Sequence, residues 1–299
     1  MVHYQWMKKR RIIIILGPTA SGKSALGVKL AKKFHGVVLS ADSRQVYKGL
    51  DVGTAKITKR EMRGVPHFLI DITSPKRTFT VAQFQRAAQR VLKRIPTTTP
   101  VFVVGGSAFY IEAILNPRPF PKVKPNPKLR RQLEQRTAAQ LFSQLRQGDP
   151  RRAAAIDQRN KRRLIRALEI VQALGHVPAR LAASPFRALK LGITMPRHQL
   201  YKKIDSRIIQ RLPGMLKEVK KLKSAGLPWK RLESFGLEYR WLARVRQNKV
   251  PPDEAIAKLQ SDSHAFVRRQ LTWWRRDRTI RWIRNQRSAE ALVHKFLVE

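Results

Sequence analysis

The residues best suited to chemistry lie in one short segment, Gly17-Pro18-Thr19-Ala20-Ser21-Gly22-Lys23-Ser24. It matches the phosphate-loop pattern G-x-x-x-x-G-K-[ST] at every required position. Its glycines let backbone N–H groups approach an anion, and the start of a helix adds about half a positive charge. Lys23 supplies a full charge, and the Ser24 hydroxyl can hold Mg²⁺. The segment therefore predicts a site for a diphosphate or triphosphate, bound by Gly17, Thr19, Ala20, Ser21, Gly22, Lys23 and Ser24.

The flanking sequence predicts the elements that must hold this loop. Residues 11–16 form an apolar run typical of a buried strand, and residues 25–34 are typical of a helix. Further strands are predicted at residues 36–40, 67–71 and 100–106, and a helix at 80–95 with Thr80 as its N-cap. Continuous apolar strands that alternate with helices indicate a parallel sheet covered on both faces. Ligands bind at the carboxyl ends of such strands, where the loop, Asp42 and Gly105-Gly106 all fall.

Prolines at 117, 119, 121, 125 and 127 mark a boundary in the chain. Residues 128–175 have a helical pattern rich in Arg and Gln, and residues 187–194 predict a strand that returns to the sheet. We therefore predict an α/β fold with a P-loop NTPase-like parallel sheet core (1–116), a helical insertion (117–186), and a return to the core followed by a helical C-terminal region (187–299).

The chain of 299 residues carries 63 Lys and Arg against 19 Asp and Glu, a formal net charge of +44. Such an excess indicates a polyanionic partner, usually nucleic acid, although adaptation to an unusual cytoplasm or plain solubility is the alternative. The absence of cysteine excludes disulfides, thiolate zinc sites and thiol nucleophiles. No apolar run is long enough for a membrane span, and we expect a soluble, cytoplasmic protein.

Two further residues are candidates for chemistry at the predicted strand ends. Asp42 follows the second strand and could be a metal ligand or a general base, or else a turn or N-cap aspartate. Ser107 follows Gly105-Gly106 and could face a substrate or simply cap a helix. The segment 51–56 (Asp-Val-Gly-Thr-Ala-Lys) is weak evidence by itself.

Basic clusters are candidates for nucleic-acid contacts. Arg162, Arg163 and Arg166 lie on a predicted helix, with Arg163 and Arg166 on one face. Arginines between 268 and 278 alternate with Trp273 and Trp274, and such cations and aromatic rings can contact phosphates and stack on unpaired bases. The alternative is a solvated face with one tryptophan buried in the core.

Taken together and in order, these segments resemble the tRNA dimethylallyltransferases (tRNA isopentenyltransferases) of bacterial type. The resemblance extends over residues 12–283 and rests on segments 17–24, 40–47, 51–56, 66–71, 79–84, 105–110, Arg163 with 166–169, and 269–273. The phosphate loop alone is shared by many enzymes, whereas the loop followed by Asp-Ser-x-Gln-x-Tyr and Gly-Thr-Ala-Lys is far more specific. Residues 158–160 depart from the family pattern, and the register of residues 236–240 is ambiguous, so no role is assigned to the latter.

The resemblance implies that the loop holds dimethylallyl diphosphate, and that the acceptor is N6 of the adenosine immediately 3′ of a tRNA anticodon. That base would be flipped out into a channel between core and insertion. Asp42 would accept the proton, Ser107 would assist, and Lys23 with Mg²⁺ on Ser24 would stabilise the leaving diphosphate. The candidate tRNA contacts are Asp42, Ser43, Arg44, Gln45, Ser107, Arg130, Arg162, Arg163 and Arg166, and a monomer is expected.

Three alternatives remain open at this point. A prenyltransferase acting on free adenine nucleotides would need no large basic surface. A P-loop kinase or NTPase would bind ATP, but the strand at 100–106 ends in glycines where an aspartate would be expected. A nucleic-acid-binding protein without activity would have no need to keep Lys23, Ser24 and Asp42 together.

Overall fold

The computed structural model of the chain describes residues 9–117, 120–178 and 184–299. Its centre is a six-stranded sheet with strand order β3-β2-β4-β1-β5-β6, in which every neighbouring pair is parallel. The strands are β1 (Arg10–Leu16), β2 (Val37–Ser40), β3 (His67–Phe68), β4 (Val101–Gly105), β5 (Phe186–Ile193) and β6 (Ile280–Ile283). The phosphate-loop segment therefore follows a strand in the middle of the sheet.

The isoleucine run of β1 explains why this strand is central. Ile12 and Ile14 belong to the hydrophobic core on one face of the sheet, and Ile13 and Ile15 belong to the core on the other face. All four side chains are fully buried. A strand covered on both sides needs a continuous apolar run, because successive side chains point to opposite faces. The predicted parallel α/β sheet is confirmed.

Helices surround the strands on both faces and continue into the C-terminal half of the chain. They are α1 (Lys23–Lys33), α2 (Lys59–Met62), α3 (Val81–Arg94), α4 (Ala108–Leu115), α5 (Pro127–Glu134), α6 (Ala138–Gly148), α7 (Pro150–Ala154), α8 (Lys161–Leu174), α9 (Arg197–Ser224), α10 (Trp229–Ser234), α11 (Leu237–Arg246), α12 (Pro252–Arg275) and α13 (Gln286–Val298). Thr80 caps α3 as predicted, in a reciprocal capping box with Gln83. No described helix is both long enough and apolar enough to cross a membrane.

The chain divides into two compact units, one made of Met1–Pro117 with Ser184–Glu299 and the other of Arg118–Ala183. The first contains the sheet. The second contains α5–α8, whose apolar side chains form a separate small core around Leu141, Leu145 and Leu164. The insertion limits 117–186 remain a prediction, because compactness alone does not define a functional domain.

Two details of the sheet differ from the sequence-based expectation. The C-terminal region, predicted as helical, also supplies β6, which pairs with β5 from Lys190–Ile280 to Ile193–Ile283. This strand has only four residues at a sheet edge, with Arg281 and Trp282 exposed, so it lacks a long apolar pattern. The strand predicted at 67–71 ends at Phe68, because Leu69 and Asp71 adopt positive φ angles of 67° and 54°.

Candidate active site

The phosphate-loop segment connects the end of β1 to the start of α1. Gly22 lies at the N-cap position with φ 89°, a left-handed conformation that glycine adopts without steric cost. No side chain caps α1, so the first amides of the helix are not occupied by a side-chain acceptor. An uncapped helix start after a glycine turn is a ready site for an anion.

Lys23 is the cation of this loop. Its Nζ donates to the carbonyl oxygen of Pro18 at 3.1 Å, and its side chain is half-buried. Burial lowers the pKa of Lys23, while nearby Asp42 raises it and Arg207 lowers it further. An anionic ligand at the loop would pair with the ammonium group and so favour the charged form of Lys23, which burial disfavours.

Asp42 follows β2 and begins a turn. Its Oδ1 accepts hydrogen bonds from the backbone N–H groups of Arg44 at 2.8 Å and Gln45 at 3.3 Å. The turn interpretation therefore accounts for one carboxylate oxygen. Within the described ranges no donor lies within hydrogen-bond distance of Oδ2, so this oxygen can still accept a proton.

Ser107 joins the ends of β2 and β4. It occupies the N-cap position of α4 but makes no side-chain cap; instead its Oγ accepts from the N–H of Ser43 at 3.0 Å. Its own N–H donates to the carbonyl of Ala41 at 3.1 Å. The approach of the two strand ends requires Gly105, since a Cβ there would lie 2.2 Å from the carbonyl oxygen of Ala41. The hydroxyl oxygen of Ser107 therefore accepts from Ser43 and does not cap α4.

Two cavities of the sheet-containing unit meet at these residues. The first, of about 320 Å³, is lined by the phosphate loop, Ser24 and Arg207. The second, of about 440 Å³, is lined by residues of the Asp42 turn, Ser107 and α12. The side chains of both cavities include Thr19, Lys23, Asp42 and Thr54. A cation and a carboxylate at this junction can hold an anion on one side and a nucleophile on the other.

Gln270 links the phosphate loop to the turn that follows β4. Its Oε1 accepts from the N–H of Thr19 at 3.1 Å, and its Nε2 donates to the carbonyl of Gly106 at 3.0 Å. The side chain is only 7% exposed and reaches both loops from α12. A buried amide with both ends bonded fixes the distance between the phosphate loop and the end of β4.

A buried carboxylate organises the segment 51–53. Glu218 on α9 accepts from the N–H groups of Asp51 and Val52, both at 2.7 Å, and of Gly53 at 3.0 Å. The hydroxyl of Tyr239 donates to the same carboxylate at 2.6 Å. These bonds position the Gly53-Thr54 wall of the second cavity, and Thr54 also lines the first.

Lys56 and Gln45 are engaged inside the protein. Lys56 is 6% exposed at its side chain and pairs with Asp51 at 2.6 Å and Asp71 at 2.5 Å. Gln45 Nε2 donates to the carbonyl of Ala55 at 3.3 Å. Both side chains therefore brace the segment 51–56, although Gln45 also lines the first cavity.

Glu238, in the first turn of α11, lines the larger cavity together with the carboxyl groups of Asp42 and Asp262. Burial raises the pKa of Glu238 to about 7, and Asp42 acts in the same direction, whereas Arg211 and Arg44 oppose it. The side chain therefore changes charge near neutral pH.

The second unit contains a separate charged cluster. Glu169 on α8 has a side chain that is only 1% exposed. Its carboxylate accepts hydrogen bonds from Arg130 Nε at 2.7 Å, Arg130 Nη2 at 2.6 Å and Arg166 Nη1 at 3.1 Å. The N–H of Asn126 donates to it at 2.9 Å. Burial opposes ionisation of Glu169, but these hydrogen bonds outweigh it and lower its pKa to about 2. Arg162 and Arg163 on the same helix are exposed.

Residues 45–277 match the model of the family described as IPP transferase. This chain belongs to the IPP transferase family. A tRNA dimethylallyltransferase of Thermomicrobium roseum is 40% identical over 92% of this chain and 86% of its own length. The crystal structure of the tRNA isopentenylpyrophosphate transferase of Bacillus halodurans superposes with TM-score 0.74 and 34% identity, covering 97% of each chain. A eukaryotic dimethylallyltransferase acting on tRNA superposes with TM-score 0.75 and 25% identity, covering 88% of this chain and 69% of that one.

The family resemblance and the P-loop NTPase-like fold predicted from the sequence are confirmed. In this IPP transferase family member the sheet-containing unit brings together Lys23, Ser24, Asp42 and Ser107, with Ser43, Arg44 and Gln45 on the adjoining turn. Arg130, Arg162, Arg163 and Arg166 lie in the other unit. The roles expected of these residues stay predictions.

Sequence reasoning missed Gln270, Glu218, Arg207 and Glu238 as members of the site. Glu218 carried a usable signal, because it lies on the buried face of α9 between Met215 and Leu222. A glutamate at an apolar helical position indicates a buried partner. Gln270 lies in segment 269–273, which carries part of the family resemblance, but its contact could not be predicted because its partner Thr19 is 251 residues away along the chain.

Proposed function

We propose that this protein transfers a dimethylallyl group from dimethylallyl diphosphate to N6 of the adenosine immediately 3′ of the anticodon in tRNA. The observation that carries the proposal is the junction of two cavities at Lys23 and Asp42. Such a junction suits a reaction in which an anionic leaving group and a nucleophile approach one carbon from two sides. The names of the similar proteins, tRNA dimethylallyltransferases, support the choice of donor and acceptor.

The first cavity suits the diphosphate. Lys23, the guanidinium of Arg207 and the uncapped amides of α1 would stabilise the negative charge that grows on the leaving diphosphate. The other proposed contacts are Gly17, Thr19, Ala20, Ser21, Gly22 and Ser24. An allylic carbon needs little more than a stabilised leaving group, so an anion cradle supplies the main requirement.

Mg²⁺ fits the donor set of this cavity. The exposed hydroxyl of Ser24 and the carboxylate of Asp42 line it, and no group of three or more His, Cys, Asp or Glu in the described residues could form a metal cage. Mg²⁺ is usually held by one or two protein oxygens together with substrate phosphates. Ser24 would hold the ion, which supplies charge neutralisation for the diphosphate when bound.

The second cavity suits the acceptor adenine. N6 would form a bond to C1 of the allyl group while the bond from C1 to the diphosphate oxygen breaks. Oδ2 of Asp42 would take the proton from N6, since Oδ1 is occupied by the turn. The Ser107 hydroxyl, oriented by the N–H of Ser43, would donate to the acceptor or to the leaving oxygen.

The basic surface suits tRNA. We propose contacts by Ser43, Arg44 and Gln45 in the sheet-containing unit, and by Arg130, Arg162, Arg163 and Arg166 in an insertion with limits 117–186. The net charge of +44 supports a polyanionic substrate of this size. We further propose that the protein acts as a monomer in the cytoplasm.

The proposal is tested by mass spectrometry of nucleosides from unmodified tRNA incubated with the protein, Mg²⁺ and dimethylallyl diphosphate, with AMP as a parallel acceptor. A dimethylallyl group on one adenosine of tRNA alone is expected. Product on AMP would identify an adenine-nucleotide prenyltransferase instead. No product on either, with robust ATP hydrolysis, would identify a P-loop NTPase, and no activity with tight tRNA binding would identify a binding protein.

A further inference from the structure

Two aromatic side chains of the sheet-containing unit are exposed and touch each other. Phe109 is 58% exposed and Trp273 is 40% exposed, with ring centroids 5.3 Å apart and planes inclined by 53°. The neighbouring Trp274 is 4% exposed and belongs to the core. Trp274 already anchors this turn of α12 in the core, so burial in the core does not account for Trp273.

The position of this pair relates it to the proposed acceptor cavity. Phe109 lies in the first turn of α4, two residues after Ser107, and Trp273 lies one helical turn after Gln270. Ser107 and Gln270 both line the second cavity. The aromatic pair therefore lies beside the cavity proposed for the flipped adenine.

The charge around the pair favours a polyanion. Arginines at 268, 269, 275, 276 and 278 are exposed, and the one acidic residue in this stretch, Asp277, is already paired with Lys190 at 2.6 Å. Exposed aromatic rings set among arginines suit single-stranded nucleic acid, in which bases stack on the rings and phosphates meet the cations. An acidic protein partner would pair with the arginines, but its acidic side chains would not stack on the two aromatic rings.

We propose that Phe109 and Trp273 form a stacking platform for an unpaired base next to the target adenosine in the tRNA loop. This rests on the proposed function. Extruding a base leaves its neighbours without a stacking partner, and an aromatic ring beside the cavity would replace it. The platform would thereby lower the cost of flipping and set which nucleotide enters.

The test measures the dissociation constant of an anticodon stem-loop RNA at several salt concentrations. Trp273→Leu and Phe109→Leu should each weaken binding by roughly 5- to 50-fold, the range expected for loss of one stacked base. The salt dependence should keep its slope, because no phosphate contact is lost. The conservative variants Trp273→Phe and Phe109→Tyr should bind within about two-fold of the parent, as should the matched control Trp282→Leu, which removes a tryptophan with 38% exposure on β6.

A second arm identifies the RNA partner of the platform. The binding affinities of the parent and of Trp273→Leu are measured for two stem-loops, each with an abasic site on one side of the target adenosine. One abasic position should weaken binding to the parent and have little further effect on the variant. Parent-like binding by both leucine variants, a reduced salt slope, equal losses in Trp282→Leu, or additive losses at both abasic positions would overturn the platform.

Failure of the proposed function has a different signature. It would appear in the parent protein, as an unmodified stem-loop after incubation with dimethylallyl diphosphate. A modified stem-loop combined with unchanged binding by the leucine variants would reject the platform alone. A change in sedimentation of the leucine variants without a change in RNA affinity would assign the rings to self-association and also reject it.

Discussion

The phosphate loop and the Glu169 cluster each combine cations with a carboxylate, but they arrange the charges differently. In the loop region Lys23 donates to a carbonyl, and one oxygen of Asp42 has no donor among the described residues. In the α8 cluster both oxygens of Glu169 are occupied, by Arg130, Arg166 and a backbone N–H. The pKa of Lys23 is lowered by burial, whereas hydrogen bonding to Glu169 raises the pKa of Arg130.

Under the proposed function, this difference determines how each region would contact its ligand. Lys23 and Asp42 keep their capacity for new bonds, as a reacting centre must. Some of the N–H donors of Arg130 and Arg166 are used in hydrogen bonds to Glu169. These bonds hold the two guanidinium groups in fixed positions. Removing a charge should therefore reduce turnover and donor affinity most at the loop. Disturbing the positions of the side chains should have its largest effect at the Glu169 cluster.

The largest expected effect is that of Asp42→Asn. The amide keeps the Oδ1 acceptor of the turn but cannot take a proton, so turnover should fall by roughly 10²–10⁴ with tRNA affinity nearly unchanged. The measurement is single-turnover prenylation of tRNA with both substrates bound. Asp253→Asn, at an exposed carboxylate of α12, is the matched control. Turnover close to that of the parent would remove Asp42 from the chemistry.

Glu169→Gln should disrupt the cluster. Removing the buried negative charge leaves Arg130 without its ion pair, at a cost of roughly 3 kcal/mol in the free energy of unfolding. The pKa of Glu169 is lowered to about 2, so its stabilisation is present above the ordinary value near 4.5 and is lost as the pH falls toward 2.

Thermal unfolding of the parent and this variant should therefore converge as the pH falls from 5 toward 2. Glu254→Gln, at an exposed glutamate of α12 outside the cluster, serves as the control and should behave as the parent does. A constant difference in unfolding temperature across this pH range would contradict the pairing of Glu169.

Lys23→Met should weaken binding of dimethylallyl diphosphate by roughly 10- to 100-fold, the value of one charged hydrogen bond in a partly buried site. Because the pKa of Lys23 is lowered, the lysine loses its charge at a lower pH than an ordinary lysine does. The affinity of the parent for the donor should therefore begin to fall at pH values below the ordinary lysine pKa. Calorimetric titration measures both effects. Lys32→Met, an exposed lysine on the same helix, should bind the donor normally; a pH profile unchanged by Lys23→Met would argue against its role.

The smallest effect is expected for Glu238→Gln. The pKa of Glu238 is raised to about 7, so the parent loses stability as the pH rises from 4.5 through 7. The glutamine variant avoids this cost, which partial solvent exposure reduces to roughly 1 kcal/mol. Its unfolding temperature should exceed that of the parent by about 2 °C at pH 8 and equal it at pH 4.5. A lower unfolding temperature at pH 8 would mean that ionised Glu238 stabilises the fold.

The sequence was informative where a function depends on consecutive residues. The phosphate loop, the Asp42 turn and the Gly105-Gly106-Ser107 turn each lie within a few positions at a strand end, so spacing alone predicted their meeting at one edge of the sheet. The position of Asp42 left a general base as one of several alternatives, and the family resemblance selected that role and the assisting role of Ser107; both remain to be tested.

Local spacing could not predict the contacts that hold these turns together. Gln270 reaches Thr19 and Gly106 from the far end of the chain, and Arg130 meets Glu169 from another helix, 39 residues away. Such pairs depend on tertiary packing, which periodicity does not encode. The short edge strand β6 was missed for a related reason, since only its pairing with β5 defines it.

The most direct test of the account is to measure four dissociation constants, those of Lys23→Met and Glu169→Gln for dimethylallyl diphosphate and for tRNA. Lys23→Met is expected to lose donor affinity and to keep tRNA affinity within about two-fold, and Glu169→Gln is expected to do the reverse. Equal losses for both ligands in either variant, or the opposite assignment, would contradict the division of the molecule into a reacting loop and a preset tRNA contact.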